Sequence, residues 1–159
     1  MPKPTVKDLQ RPDYLLALGF GSGLSPKAPG TAGSLLGLII FLPALALPLL
    51  LQLSIIAVSL VAGIWICERV ANDMAIKDPG AIVWDEFVGM WIAMLLLPSM
   101  LWAPLAFAVL RFFDIVKPWP VSLADRELTG GLGIMLDDVV AGVYALLVVQ
   151  LIVYLATML

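Results

Sequence analysis

The chain has 159 residues, of which 62% are hydrophobic and only 13% are charged. Soluble domains average about 45–50% apolar and about 25% charged residues, so this composition indicates an integral membrane protein with one domain over residues 1–159. The net charge of −3 argues against a nucleic acid partner, because phosphate backbones bind to basic surfaces. The single cysteine excludes a disulfide within the chain, and the absence of histidine excludes imidazole chemistry.

Residues 1–16 carry charges and prolines, and we predict that they form a cytoplasmic N-terminal arm rather than a signal peptide. The segment GFGSGLSPKAPGTAGS follows, directly before the first apolar helix. Backbone N–H groups at a helix N-terminus bind anions, so Lys27, Thr31 and Ser34 become candidate phosphate-binding residues. The segment lacks the spacing of a Walker loop, and glycines also permit close packing of membrane helices, so by itself it leaves both interpretations open.

Charge-free stretches at 28–67, 87–110 and 139–159 predict an all-α membrane bundle, since a spanning helix needs roughly 20 apolar residues. The first stretch is long enough for two helices, with an outer turn at Gln52 and Ser54, and the last forms one. The middle stretch forms either one kinked span or a hairpin of two short helices broken near LPSMLWAP. We prefer the hairpin, because it leaves no Lys or Arg outside. The result is about five membrane segments, with the N-terminus and all charges on the cytoplasmic side.

Two vicinal acidic pairs, Asp85–Glu86 and Asp137–Asp138, stand just before apolar stretches. A carboxylate there can cap a helix and interact with the positive end of its dipole. One residue is enough for a cap, and a second adds like-charge repulsion at a boundary of low dielectric constant. A divalent cation removes that repulsion, and oxygen ligands without His or Cys suit Mg²⁺ or Mn²⁺ rather than zinc. We therefore predict Asp85, Glu86, Asp137 and Asp138 as metal ligands.

The segment LRFFDIVKPWP supplies Arg111, Asp114 and Lys117. Arg111 and Asp114 are three residues apart and share a helix face, so a simple ion pair within the helix explains them as well as a functional role does. Next to the carboxylates, however, two cations favour a bound anion, and the planar guanidinium suits phosphate. Phosphoryl chemistry at the depth of the lipid head groups follows as the functional hypothesis.

Four blocks of this sequence resemble the signature blocks of the phosphatidylglycerophosphatase A family, in the family's order and over roughly residues 17 to 142. They are GFGSGLSPKAPGTAGSL, KDPGAIVWDEFVGMW, RFFDIVKPWP and GGLGIMLDDVVAG. The resemblance implies a multi-pass enzyme of the bacterial inner membrane with its active site facing the cytoplasm. It also implies Mg²⁺-dependent removal of the terminal phosphate of phosphatidylglycerophosphate, in phospholipid biosynthesis. It does not imply a protein partner.

Within this hypothesis Asp85, Glu86 and Asp114 are the catalytic candidates, and Asp114 is the candidate base or nucleophile. The attack comes either from an activated water or from an aspartate that forms an aspartyl phosphate. A small divalent-cation transporter or channel is the alternative, although such proteins place acidic residues near the middle of the membrane. A non-catalytic scaffold leaves the paired acids unexplained.

Overall fold

The computed structural model describes residues 4–119 and 129–158, and these residues form helices and connecting turns without a β-strand. Pro120, in the segment LRFFDIVKPWP, lies outside the described residues. Short 3₁₀ segments occur at Val6–Gln10, Gly19–Leu24, Leu42–Ala46 and Met100–Trp102. The α-helices of the described residues are α1 (Pro12–Ala17), α2 (Pro29–Phe41), α3 (Leu49–Met74), α4 (Trp84–Ala93), α5 (Ala103–Val116) and α6 (Gly130–Met158).

Three helical segments in the described residues are long and apolar enough to cross a membrane: Pro29–Ala46, Leu49–Met74 and Gly130–Met158. Only 22%, 22% and 28% of their most apolar windows are buried within the protein, so most of their side chains face outwards. An apolar surface of this extent requires lipid around it. The predicted all-α membrane bundle is therefore confirmed.

The stretch 87–110 folds back on itself, as the preferred alternative predicted. α4 has 10 residues and α5 has 14, which corresponds to about 15 Å and about 21 Å, so neither crosses a hydrocarbon core of about 30 Å. Leu96 in the break has a φ of 61°, and Ser99 caps the 3₁₀ turn that leads into α5. As a result Arg111, near the end of α5, returns to Glu86 at the start of α4.

Helix α4 forms the centre of the bundle and packs against α2, α3, α5 and α6. All its residues except Asp85 are buried. Glycines make this packing possible. A Cβ at Gly142 of α6 would lie 2.6 Å from the carbonyl oxygen of Gly89, and one at Gly37 of α2 would lie 3.0 Å from the backbone of Phe87. Such close approach is typical of helix interfaces in membranes.

Two predicted boundaries are wrong. The outer turn after α2 lies at Leu47–Pro48, and Gln52 is buried in the first turn of α3, where its amide donates to the Leu47 carbonyl at 2.9 Å. Asp137 does not stand before its helix, because α6 begins at Gly130, two turns earlier. The carboxylate of Glu68 on α3 accepts a hydrogen bond from the Gly131 N–H and so supplies the cap.

The N-terminal arm is docked on the bundle, with Tyr14 and Ala17 of α1 buried. The Arg11 guanidinium contacts Asp13 at 2.8 Å and Asp73 of α3 at 2.6 Å, and Arg69 reaches Asp13 at 3.1 Å. The hydrogen bonds from Arg11 hold the pKa of Asp13 below its usual value. The arm is thus tied to the end of α3 by charged groups.

Candidate active site

The first turn of α4 carries the acidic pair. The Val83 N–H donates to the Ala17 carbonyl at 2.9 Å, and the Trp84 indole donates to the Ser59 carbonyl at 3.1 Å, so this turn is anchored from two sides. Glu86 is 7% exposed and points towards α2 and α5. Asp85 is partly exposed, and its buried Oδ1 has no hydrogen-bond partner among the described residues.

Glu86 meets two further carboxylates. Oxygen atoms of Glu86, Asp114 on α5 and Asp138 on α6 all lie within 4.8 Å of one another. Asp138 is only 3% exposed, so two of these three carboxylates are buried. Like charges this close in a medium of low dielectric constant repel each other strongly unless cations compensate them.

Arg111 supplies one such cation. Its Nη1 contacts Glu86 Oε2 at 2.5 Å and Asp114 Oδ2 at 3.0 Å, and it donates to Ser34 Oγ at 3.2 Å. The Ser34 hydroxyl in turn donates to Glu86 Oε2 at 2.5 Å. One guanidinium cannot neutralise three ionised carboxylates, so a further cation is needed to balance their charge.

The donor set fits a divalent cation of the hard class. Glu86, Asp114 and Asp138 offer one oxygen each within a small volume, and the chain has no histidine to compete. Carboxylate oxygens are the protein ligands that Mg²⁺ prefers, usually in company with water and substrate phosphate. These three residues could therefore hold a metal ion.

Two of the four predicted metal ligands, Glu86 and Asp138, lie in this group, whereas Asp85 and Asp137 lie outside it. Asp137 instead accepts a bond of 2.9 Å from Lys117 Nζ. Lys117 ends α5 with a left-handed φ of 46°, directly before Pro118. The roles predicted for Asp85, Asp137 and Lys117 stay predictions.

The glycine-rich block contributes unequally to the site. Ser34 is fully buried and bonded to Glu86, Thr31 is half-buried, and Lys27 is exposed before Ala28, which has a left-handed φ of 47°. Gly30 has a role that sequence reasoning missed, because a Cβ there would collide with Glu86 Oε1. The glycine makes room for the carboxylate.

Lys77 was also missed. It lines a small cavity of about 20 Å³ together with Asp78 and Asp137. Its position in the block KDPGAIVWDEFVGMW was the available signal, but a surface lysine in a loop is unremarkable without the tertiary contact.

Comparison with known proteins identifies the family. The profile of Phosphatidylglycerophosphatase A matches residues 15–153. Phosphatidylglycerophosphatase A of Escherichia coli K12 is 44% identical over 137 residues, which cover 85% of this chain and 80% of that protein. Phosphatidylglycerophosphatase A of Haemophilus influenzae is 46% identical over 149 residues, which cover 92% of this chain and 91% of that protein.

A Bacteroides thetaiotaomicron protein with the provisional name phosphatidylinositol-3-phosphatase is 42% identical over 154 residues, which cover 89% of this chain and 95% of that protein. No solved structure matches the chain. The family profile spans most of the sequence, and the two named relatives align over at least 80% of each protein. The chain belongs to the phosphatidylglycerophosphatase A family of phosphatases.

Proposed function

We propose that this chain hydrolyses the terminal phosphate of phosphatidylglycerophosphate in a Mg²⁺-dependent reaction that yields phosphatidylglycerol and phosphate. The observation that carries the proposal is the group of Glu86, Asp114 and Asp138 around the Arg111 guanidinium. Family membership supports the substrate, because the relatives from E. coli and H. influenzae are named for it. A second cation, Lys117, lies on the same helix as Arg111.

Glu86, Asp114 and Asp138 would hold the cation, which when bound supplies positive charge that stabilises the developing charge on the phosphoryl oxygens. Ser34 and Arg111 fix the Glu86 carboxylate by hydrogen bonds of 2.5 Å each, so the ligand is in position before substrate arrives. The buried walls of α4 and α6 exclude water and strengthen each electrostatic interaction.

Asp114 is the proposed base or nucleophile. Its carboxylate is partly exposed, in contrast to Glu86 and Asp138, so substrate can approach it. Arg111 Nη1 contacts Asp114 Oδ2 at 3.0 Å, and this contact orients the carboxylate for either role. The proposal keeps Asp85 and Asp137 as further acidic positions of the site, and Lys27, Thr31 and Lys117 as candidates for contact with substrate phosphate.

The proposed setting is the inner membrane of a bacterium, with residues 1–159 as one domain and the site on the cytoplasmic side. The described charged groups of the site collect at one end of the bundle, because α5 returns to the start of α4. A lipid with its phosphate at the interface can reach such a site without leaving the membrane.

The test is phosphate release by the purified protein from phosphatidylglycerophosphate in mixed micelles, with Mg²⁺ and then with EDTA. We expect turnover with Mg²⁺ only, and slower turnover of phosphatidylinositol 3-phosphate. Asp138→Asn keeps the shape of the side chain and should reduce kcat about 100-fold or more, since it removes one ligand of the cation. Asp8→Asn removes a carboxylate from the N-terminal arm and should leave kcat unchanged.

Each other result has a definite meaning. If folded protein releases phosphate from neither lipid, the enzymatic proposal is contradicted. Flux of Mg²⁺ across the membrane of vesicles that contain the protein, without phosphate release, would favour the transporter. Faster turnover of the inositol lipid would reassign the substrate. Full activity of Asp138→Asn would remove that residue from the site, provided that gel filtration and thermal unfolding match the wild type.

A further inference from the structure

A cavity of about 550 Å³ lies between the glycine-rich segment and the loop that joins α3 to α4. Its walls are mainly apolar, with Leu24, Pro26, Pro29, Ile76, Pro79 and Ala81 among the lining residues. A volume in this range is typical of sites that enclose a small molecule or a lipid head group.

The cavity borders the candidate active site at two places. Pro29 lines it and directly precedes Gly30, where an added Cβ would meet Glu86. Asp78 lines it and also lines the small cavity that reaches Asp137, the partner of Lys117. A molecule in the large cavity therefore lies next to the groups proposed to act on phosphate.

Two lysines belong to the two chain segments that line this cavity. Lys27 stands between the lining residues Pro26 and Pro29, and Lys77 stands between Ile76 and Asp78. Both side chains are exposed, and neither makes an ion pair with the described residues, whereas Arg111 is paired with carboxylates. Lys77 also lines the small cavity that Asp137 lines, so Lys77 lies near the candidate active site. Unpaired ammonium groups on the two segments that line an apolar cavity suit an anionic ligand.

We propose that this cavity binds the inner part of the substrate head group, with Lys77 and Lys27 contacting its phosphodiester. The inference rests on the proposed function, because only a substrate with an inner phosphodiester and a terminal phosphate needs two separate anion sites. The phosphodiester does not react, so contact with it stabilises the bound substrate and the transition state equally. Lys77 is thus a specificity-determining residue that acts on KM rather than on kcat.

The experiment compares Lys77→Ala with wild type in mixed micelles that contain phosphatidylglycerophosphate and Mg²⁺. We expect the KM to rise about 5- to 30-fold, as for the loss of one charge-assisted hydrogen bond at an exposed site, with kcat within about twofold. Lys77→Arg keeps the positive charge, so its KM should lie close to the wild-type value. Lys7→Ala removes an exposed lysine of the N-terminal arm and should change neither constant.

Two inhibitors distinguish the two anion sites. Phosphatidylglycerol carries the phosphodiester alone, so Lys77→Ala should weaken its inhibition by a factor similar to that for KM. Inorganic phosphate resembles the terminal group alone, so its inhibition constant should stay within about twofold. An unchanged KM, a fall in kcat alone, or equal weakening of both inhibitors would overturn the inference. Absence of phosphate release by wild-type protein would instead overturn the proposed function.

Discussion

Gly30→Ala tests whether the position of the Glu86 carboxylate matters for turnover. Gly30 lies in the first turn of α2, and its missing side chain leaves space that Glu86 Oε1 occupies. An alanine Cβ would overlap this oxygen and would lie 3.4 Å from Arg111 Nη1. The carboxylate must retreat by about 1 Å to reach a normal contact distance.

We expect Gly30→Ala to reduce activity rather than stability. Glu86 Oε1 is the end of a flexible side chain, so it can move without a shift of the backbone, and alanine favours the helix over glycine by about 0.5–1 kcal/mol. The movement, however, disturbs the bonds from Ser34 and Arg111 and the spacing of the three carboxylates. A misplacement of about 1 Å can reduce turnover about 100-fold. We therefore expect kcat to fall by that order with an unfolding temperature close to wild type.

Gly37→Ala is the matched control, because it makes the same change on the same helix. Its Cβ would lie 3.0 Å from the Phe87 backbone and 3.3 Å from the Phe87 ring, away from the carboxylates. Crowding of a Cβ against a backbone atom is relieved less easily than crowding against the end of a side chain. This variant should therefore unfold at a lower temperature and keep most of its kcat per folded molecule. The assay is phosphate release alongside thermal unfolding in the same detergent. Full kcat in Gly30→Ala, or equal losses of kcat in both variants, would refute the reasoning.

Three further predictions concern the charged groups. Arg111→Met should lower stability in EDTA by about 3 kcal/mol, since it leaves Glu86 and Asp114 without their buried cation. Mg²⁺ should then raise the unfolding temperature more than it does in wild type, and an equal rise in both would contradict a cation site at these carboxylates. Arg11→Ala should release the N-terminal arm, which limited proteolysis would detect as faster cleavage. The lowered pKa of Asp13 gives stability that is present above about pH 4 and is lost as the pH falls further, so Asp13→Asn should flatten this acid limb, and an unchanged limb would contradict the assignment.

The grouping of the charges could be predicted from sequence, because lipid excludes them from the spanning segments and the fold-back of 87–110 returns Arg111 to Glu86. The sequence could not decide which member of each acidic pair joins the central group. Adjacent residues on a helix point about 100° apart, so one side chain of a pair can face a given neighbour while the other faces elsewhere. Glu86 and Asp138 face each other and Asp114, whereas Asp137 turns to Lys117. That choice depends on how the helices are rotated in the bundle.

The boundaries of α6 show a second limit. The start of α6 at Gly130 is capped by Glu68, which is 63 residues from Gly131 in the chain. Gly131 permits this contact, since a Cβ there would meet the Ile64 carbonyl and the Glu68 backbone. Pairings between distant segments follow from packing, which a single sequence does not contain.

The break between α4 and α5 is what brings the site together. A continuous helix over the same residues would rise by about 1.5 Å per residue. Arg111 would then lie more than about 30 Å from Glu86, on the opposite side of the membrane. Instead the chain reverses at Leu96, and the 3₁₀ turn at Met100–Trp102 directs α5 back along α4. The apolar residues of α4 are thereby buried among helices rather than in lipid, and its N-terminal turn meets the carboxylate of α5. Helix α4 is too short to span the membrane, and it places Glu86 at the same depth as Asp114 and Asp138.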